Sequence, residues 1–200
     1  QWSVLVVTHA LNETERRQVE EYLSAGGAVM GYAAYLQNVC KTTSRSELIE
    51  YLTSDGTPPF PDTHLIDLGI MGEIPREANC LRTQHHTFAA FAGEMGGGWA
   101  VILPFDAAAV MTDHRAAHKS FYAQRDRLPS ERVSLVGKGE VQRLVHRALV
   151  FLHHARNVPY AHLWYFPGEH RTLFAFRIDS DRGSRQEIDT LYRLAVQHDI

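Results

Sequence analysis

The chain opens on an apolar, β-branched run, Trp2 to Thr8 (WSVLVVT), the pattern of a strand buried on both faces. Asn12, with Glu15 three places on, predicts a capping box that starts a helix. Val19, Tyr22 and Leu23 give that helix an apolar stripe, and Gly26-Gly27 ends it. A second buried-strand run, Ala28 to Ala33 (AVMGYA), comes at once. Strand, helix, Gly-Gly turn and strand read as a right-handed βαβ unit, the start of an open parallel sheet. Further along, Ser46 to Leu52 reads as helical, and Pro58-Pro59-Phe60-Pro61 as a loop. His64 to Ile70 reads as a strand, Gly96-Gly97-Gly98 as a turn, and Trp99 to Pro104 (WAVILP) as another buried strand. From Val141 the apolar positions Leu144, Val145, Ala148, Leu149 and Leu152 keep helical spacing, which predicts a helix of about four turns.

After Pro159 the pattern changes. Ala161 to Phe166 and Thr172 to Ile178 read as strands separated by Pro167-Gly168, and a helix comes next with Ile188, Leu191, Tyr192 and Ala195 on one face. These features divide the chain into residues 1–165 and 166–200. The absence of a starting methionine, and the helical pattern that runs to Ile200, suggest a piece of a longer protein.

Composition narrows the classes of function. Hydrophobic residues make up 44% and charged residues 22%, ordinary for a soluble globular chain. The formal net charge of −3 argues against a nucleic-acid surface. No apolar run reaches the roughly 18 residues of a membrane span. Two cysteines, Cys40 and Cys80, cannot build a disulfide framework or a four-cysteine zinc site.

Candidate chemistry concentrates in Phe176-Arg177-Ile178-Asp179-Ser180-Asp181. Two carboxylates stand after an apolar strand and before a helix, and in α/β folds that edge is where active sites are built. Crowded carboxylates raise one another's pKa, and a divalent cation relieves the repulsion. The same residues also read as a strand-end loop in which Asp181 or Ser184 caps the next helix. His114 and His118 form an H-x-x-x-H that reads as a surface helix. His85-His86 and His153-His154 are adjacent pairs, whose side chains diverge on any regular element. Val136-Gly137-Lys138-Gly139 reads as the turn opening the long helix.

The run FAFRIDSD, with the helix SRQEIDTLYRLAVQHDI behind it, resembles the opening of the polysaccharide deacetylase family, carbohydrate esterases of the NodB-homology type. The resemblance covers Thr172 to Ile200. Arg177 stands where the family motif usually has Thr, and Ser180 lies between the acids. The resemblance implies the first strand and helix of a deformed (β/α) barrel, with Asp179 as catalytic base and Asp181 as metal ligand. It further implies zinc or another divalent metal in the full-length protein, held together with two histidines of a later H-x-x-x-H motif. The ion would activate water and polarise the acetyl carbonyl of a carbohydrate polymer.

Upstream, VLVV, the Ala25-Gly26-Gly27 turn and GGGWAVILPFD resemble the class I glutamine-amidotransferase-like domain, a three-layer α/β fold with a flavodoxin-like parallel sheet. The nucleophile elbow of an active amidotransferase needs a cysteine, and Met30-Gly31-Tyr32-Ala33-Ala34 has none. The domain is therefore expected to be non-catalytic.

Together these resemblances imply the N-terminal part of a bacterial, metal-dependent polysaccharide deacetylase, inactive by itself and holding no metal in this fragment. No membrane span and no nucleic-acid partner are expected. A barrel strand without neighbours on one side is expected either to pack against the first domain or to exchange between chains, the latter giving a homo-oligomer. Two competing readings remain: a non-catalytic binding or assembly module of amidotransferase-like fold, and a hydrolase using Cys40 with a histidine.

Overall fold

The first capping signal forms as the sequence predicts. In the computed structural model, which describes residues 3–120, 122–123, 126–127, 131–161, 168 and 183–198, Asn12 caps helix α1 (Glu13–Ser24). Its side chain accepts from the Glu15 amide at 3.0 Å, and the Glu15 carboxylate returns to the Asn12 amide at 3.0 Å. The helix stops in a Schellman arrangement: Gly26 N–H bonds Leu23 O at 3.0 Å and Gly27 N–H bonds Tyr22 O at 2.9 Å, with Gly26 at φ +82°. Strand β1 (Leu5–Val7) precedes this helix and β2 (Ala28–Tyr32) succeeds it. The two pair in parallel, as the βαβ reading requires.

Helix α2 (Ala33–Leu36) continues directly from β2, and the chain then builds five more strands: β3 (Ser44–Thr53), β4 (Ile66–Pro75), β5 (Cys80–Thr83), β6 (Phe88–Met95) and β7 (Gly98–Leu103). All seven strands form one sheet in the order β1-β2-β7-β6-β5-β3-β4. β1, β2 and β7 are parallel, and every other neighbouring pair is antiparallel. The fold is thus α/β with a mixed sheet. A parallel pair needs a crossover of about a dozen residues or more, and the tight turns between β5, β6 and β7 leave no room for one. The β6–β7 turn is Gly96-Gly97, both at positive φ, between the paired Met95 and Gly98.

Three expectations meet a different structure. Ser46 to Leu52 is strand, not helix: it pairs antiparallel with β4, and the register shifts between Ile49 and Tyr51, where β4 carries one residue more. Ile49 and Leu52 are both fully buried, which gives an extended segment the i, i+3 spacing of a helix. The WSVLVVT run is not buried on both faces: β1 lies at the sheet edge and Val6 is 49% exposed. His114 and His118 share no helix, since α3 (Ala107–Thr112) ends before them and His118 lies on strand β8 (Ala116–Lys119).

β8 pairs with β11 (Glu131–Ser134), and between them β9 (Tyr122–Ala123) pairs with β10 (Asp126–Arg127). The long helix α4 (Lys138–Ala155) then covers one face of the sheet. Its Val141, Leu144, Ala148 and Leu152 are fully buried, with Met30, Leu103, Ile49, Ile66 and Phe105 in the same apolar cluster. On the opposite face Val19, Leu23, Ala33 and Leu36 of α1 and α2 pack with Val29, Ala100 and Ile102. Alternate residues of β2 and β7 thus feed two separate cores. Among the described residues no helix is long and apolar enough to cross a membrane.

The antiparallel half curls back on the parallel half. β6 divides its partners, pairing through Phe88 and Ala90 with β5 and through Phe91 to Met95 with β7. At the far end Glu73 N–H of β4 donates to Pro104 O, just past β7, at 2.9 Å. A Cβ on Gly72 would stand 2.6 Å from the same carbonyl oxygen, so the approach requires glycine. Further back along its length β4 is also occupied. Gly137 N–H donates to Asp67 O at 3.0 Å, and the Arg115 guanidinium donates to Leu68 O and Gly69 O, both at 2.9 Å.

Residues Gln1–Tyr160 form one compact unit and Ala161–Ile200 a second. Within the second, the described regular element is helix α5 (Arg185–Gln197). Ser184 caps it in a capping box with Glu187, and its apolar Ile188, Leu191 and Tyr192 are exposed among the described residues.

Candidate functional site

Asp179 and Asp181 lie outside the described residues, as do the strands expected around them. Just beyond them, the Ser184 hydroxyl accepts from Glu187 N–H at 3.3 Å and the Glu187 carboxylate accepts from Ser184 N–H at 2.7 Å. Ser184 is therefore the helix cap, one of the two residues the sequence offered for that part. Among the described residues no three His, Cys, Asp or Glu side chains gather where a metal ion could be held.

The cysteine alternative finds little support. Cys40 is buried, and burial, reinforced by the Glu77 carboxylate, pushes its thiol up to about 12. A nucleophilic cysteine needs the opposite shift and a base to create it. Cys80 is buried in the core and its sulfur contacts Ala90 O at 3.3 Å.

The parallel strands themselves direct attention to their C-terminal edge, where open α/β sheets usually place ligands. Four elements meet there. The β2–α2 junction supplies Tyr32, α2 supplies Tyr35, the β7–α3 junction supplies Asp106, and the curl of the sheet brings in Glu73. Tyr32 sits beside Leu103 in the β2–β7 register, and Glu73 is docked on the next residue, Pro104. All four side chains belong to residues of intermediate exposure.

Asp106 organises one side of the cluster. Its Oδ1 accepts from Ala108 N–H at 2.9 Å and Ala109 N–H at 3.1 Å, which opens α3. Its Oδ2 accepts from the Tyr35 hydroxyl at 2.8 Å. That bond, more than burial, raises the Tyr35 phenol above its ordinary value. Across the edge, Glu73 accepts from the Ser44 hydroxyl at 2.8 Å and from the Ser46 hydroxyl. The rings of Tyr32 and Tyr35 meet edge to face, with centroids 5.1 Å apart and planes at 82°. Burial first, then the charges of Glu73 and Asp106, hold the Tyr32 phenol above its ordinary value, so it stays a neutral donor at physiological pH.

The crevice below these residues, lined by Val7, Gly31, Tyr32, Phe105 and Asp106, holds about 30 Å³. That suffices for a water molecule and not for a ligand. The space is closed by packing: a Cβ on Gly31 would lie 3.0 Å from Val7 O and 3.1 Å from a Leu36 methyl. Anything bound here would lie on the edge, over the tyrosines. Larger open grooves flank α1. One of about 570 Å³ includes Arg17, Val39 and Cys40, and one of about 790 Å³ runs along β1 past His9 and Gln18.

Sequence reasoning singled out none of Tyr32, Tyr35 and Glu73 as a site residue. Asp106 carried a readable signal, since it stands after an apolar strand, the position the sequence analysis expected for Asp179. Glu73 carried none, because its place depends on how far the antiparallel strands curl. The fold and its edge define an α/β protein with a mixed seven-stranded sheet and a tyrosine–carboxylate cluster at the ends of the parallel strands. No protein-family model and no curated protein matches the chain.

Proposed function

We propose that this chain is the N-terminal part of a metal-dependent polysaccharide deacetylase, with residues 1–160 as a non-catalytic, amidotransferase-like module of flavodoxin-like ancestry. The observation that carries the reading is the run Phe176 to Asp181 with a capped helix directly behind it. In this reading Asp179 takes the proton from the attacking water, and Asp181 is a ligand of zinc or a similar ion. Asp181 is succeeded by a single histidine, His198, so the paired histidine ligands would come from further sequence. The non-catalytic role of the first unit rests on Tyr32 at the strand-to-helix junction and on the buried, protonated Cys40.

The test is acetate release from acetylated glycan oligomers by the protein expressed from its whole reading frame. Activity that disappears on chelation, and on either Asp179→Asn or Asp181→Asn, is the expected result. A whole-length protein that releases no acetate with metal supplied, or one whose activity survives both substitutions, would sink the proposal. The second reading, a binding module, is favoured by the half-buried tyrosines and carboxylates at the edge of the parallel strands.

A further inference from the structure

We infer that the C-terminal edge of β1, β2 and β7, centred on Tyr32 and Glu73, is a binding surface for a hydroxyl-rich saccharide chain. The inference deepens the proposed deacetylase function, from which the saccharide class is taken, by giving the first unit a ligand of its own.

The polar groups of the edge differ in how fully they are satisfied. Asp106 spends both oxygens on α3 and Tyr35, so it is an organiser rather than a contact. Glu73 receives two serine hydroxyls and retains further lone pairs on its two oxygens. The Tyr32 hydroxyl makes no hydrogen bond among the described residues, although it is within electrostatic reach of both carboxylates. A polar group left half-buried beside acceptors is served by a molecule that both donates and accepts, and a sugar hydroxyl does both.

Charge separates this ligand from the alternatives. An anion would meet Glu73 and Asp106, so phosphate and carboxylate groups are disfavoured. A simple metal ion would need more oxygen ligands than Glu73 can offer with its serines. The apolar part fits the same class: Tyr32 and Tyr35 present rigid rings with polar tips, which suit a ring that is apolar on its face and polar on its rim. Because the crevice beneath is nearly full, the ligand must lie along the edge, which favours a chain over a small enclosed molecule.

The test titrates the 200-residue chain with an N-acetylglucosamine hexamer and separately with a glucose hexamer. Amide chemical shifts and calorimetry give the readouts. Saturable binding of at least one oligomer in the millimolar range or tighter is expected, with shifts at Gly31, Tyr32 and Ala107 and none at Gly139 on α4. Tyr32→Phe and Glu73→Gln, which preserve side-chain volume, should each weaken binding about three- to tenfold, the loss of one ligand hydrogen bond. Thermal unfolding of each variant establishes that it is folded at the temperature of the titration. Failure to bind either oligomer would overturn the inference, as would equal binding in both variants or shifts clustered elsewhere. Displacement of the sugar by 1,4-diaminobutane would also overturn it, reducing the edge to a general attractor of cations. Repeating the titration with Asp179→Asn keeps the two proposals apart: binding should persist in a chain whose proposed catalytic base is gone.

Discussion

Asp106 holds two elements with one carboxylate, opening α3 through Oδ1 and fixing Tyr35 through Oδ2. Removing it strips a helix cap and leaves a phenol without its acceptor. Asp106→Ala should therefore cost about 1–2 kcal/mol, mostly the cap. For a chain of this size that lowers the melting temperature by about 2–4 °C per kcal/mol. Asp106→Asn keeps an acceptor for the two helix amides and should recover part of the loss. Identical melting curves for the Ala variant and the parent would show that neither bond contributes. At this scale the sequence was partly readable. Asn12, Glu15 and Ser184 announced their caps because capping is a local affair of three or four residues. Tyr32 and Glu73 could not be paired from the sequence, since 41 positions and two strand connections separate them.

Among the elements, β3 and β4 show how a pattern misleads. Ile49 and Leu52 are both buried and so carry helical spacing in a strand, beside the register shift where β4 bulges. No periodicity argument recovers that, since the register is fixed by pairing with β4. The same pair forms a side of the sheet open to other chains, and Arg115 is placed to obstruct it. Its guanidinium occupies Leu68 O and Gly69 O, while Asp113 accepts from Arg115 Nε at 2.7 Å and from its amide at 2.8 Å. Arg115→Ala should release two edge carbonyls and leave β4 a template for pairing. The expected outcome is a lower urea midpoint, by about 1 kcal/mol, with concentration-dependent light scattering. An unchanged midpoint with no scattering would mean that the edge needs no obstruction. The Arg115 amide first, and its guanidinium next, hold the Asp113 carboxyl below its ordinary value. That contribution is present above the ordinary carboxylate pKa and fades as pH falls through the lowered one. The deficit of the variant should therefore narrow in strong acid without vanishing, because the bonds to Leu68 O and Gly69 O do not titrate with Asp113.

For the whole molecule, the parallel front of the sheet was legible, while of the antiparallel part only the strand read at His64 to Ile70, which overlaps β4, was. β1, α1 and β2 announce themselves through two apolar runs around a capped stripe, and β7 through a third. The segment from Lys41 to Thr87 forms strands whose partners are distant in sequence, and its half-exposed faces dilute the apolar signal. Both apolar clusters draw their buried members from residues up to Leu152. A shortened chain of residues 1–160 should therefore fold by itself, with one cooperative transition near that of the 200-residue chain. A fragment that unfolds without a transition would show that the first unit depends on the second for its stability.

The hydrogen bond from Glu73 to Pro104 joins the last strand in the sheet order to a strand near its middle, so β7, β6, β5, β3 and β4 make a circuit. In a circuit a slip of one residue anywhere must be matched elsewhere or the join is lost. A single residue added within β4 after its bonds to Arg115 and Gly137 would turn Glu73 to the opposite face, away from Tyr32. Length changes over evolutionary time should then be found in the Ser54 to Leu65 segment and in the turn from Arg76 to Asn79. Within the strands of the circuit the residue count should stay fixed even where the residues themselves are free to drift.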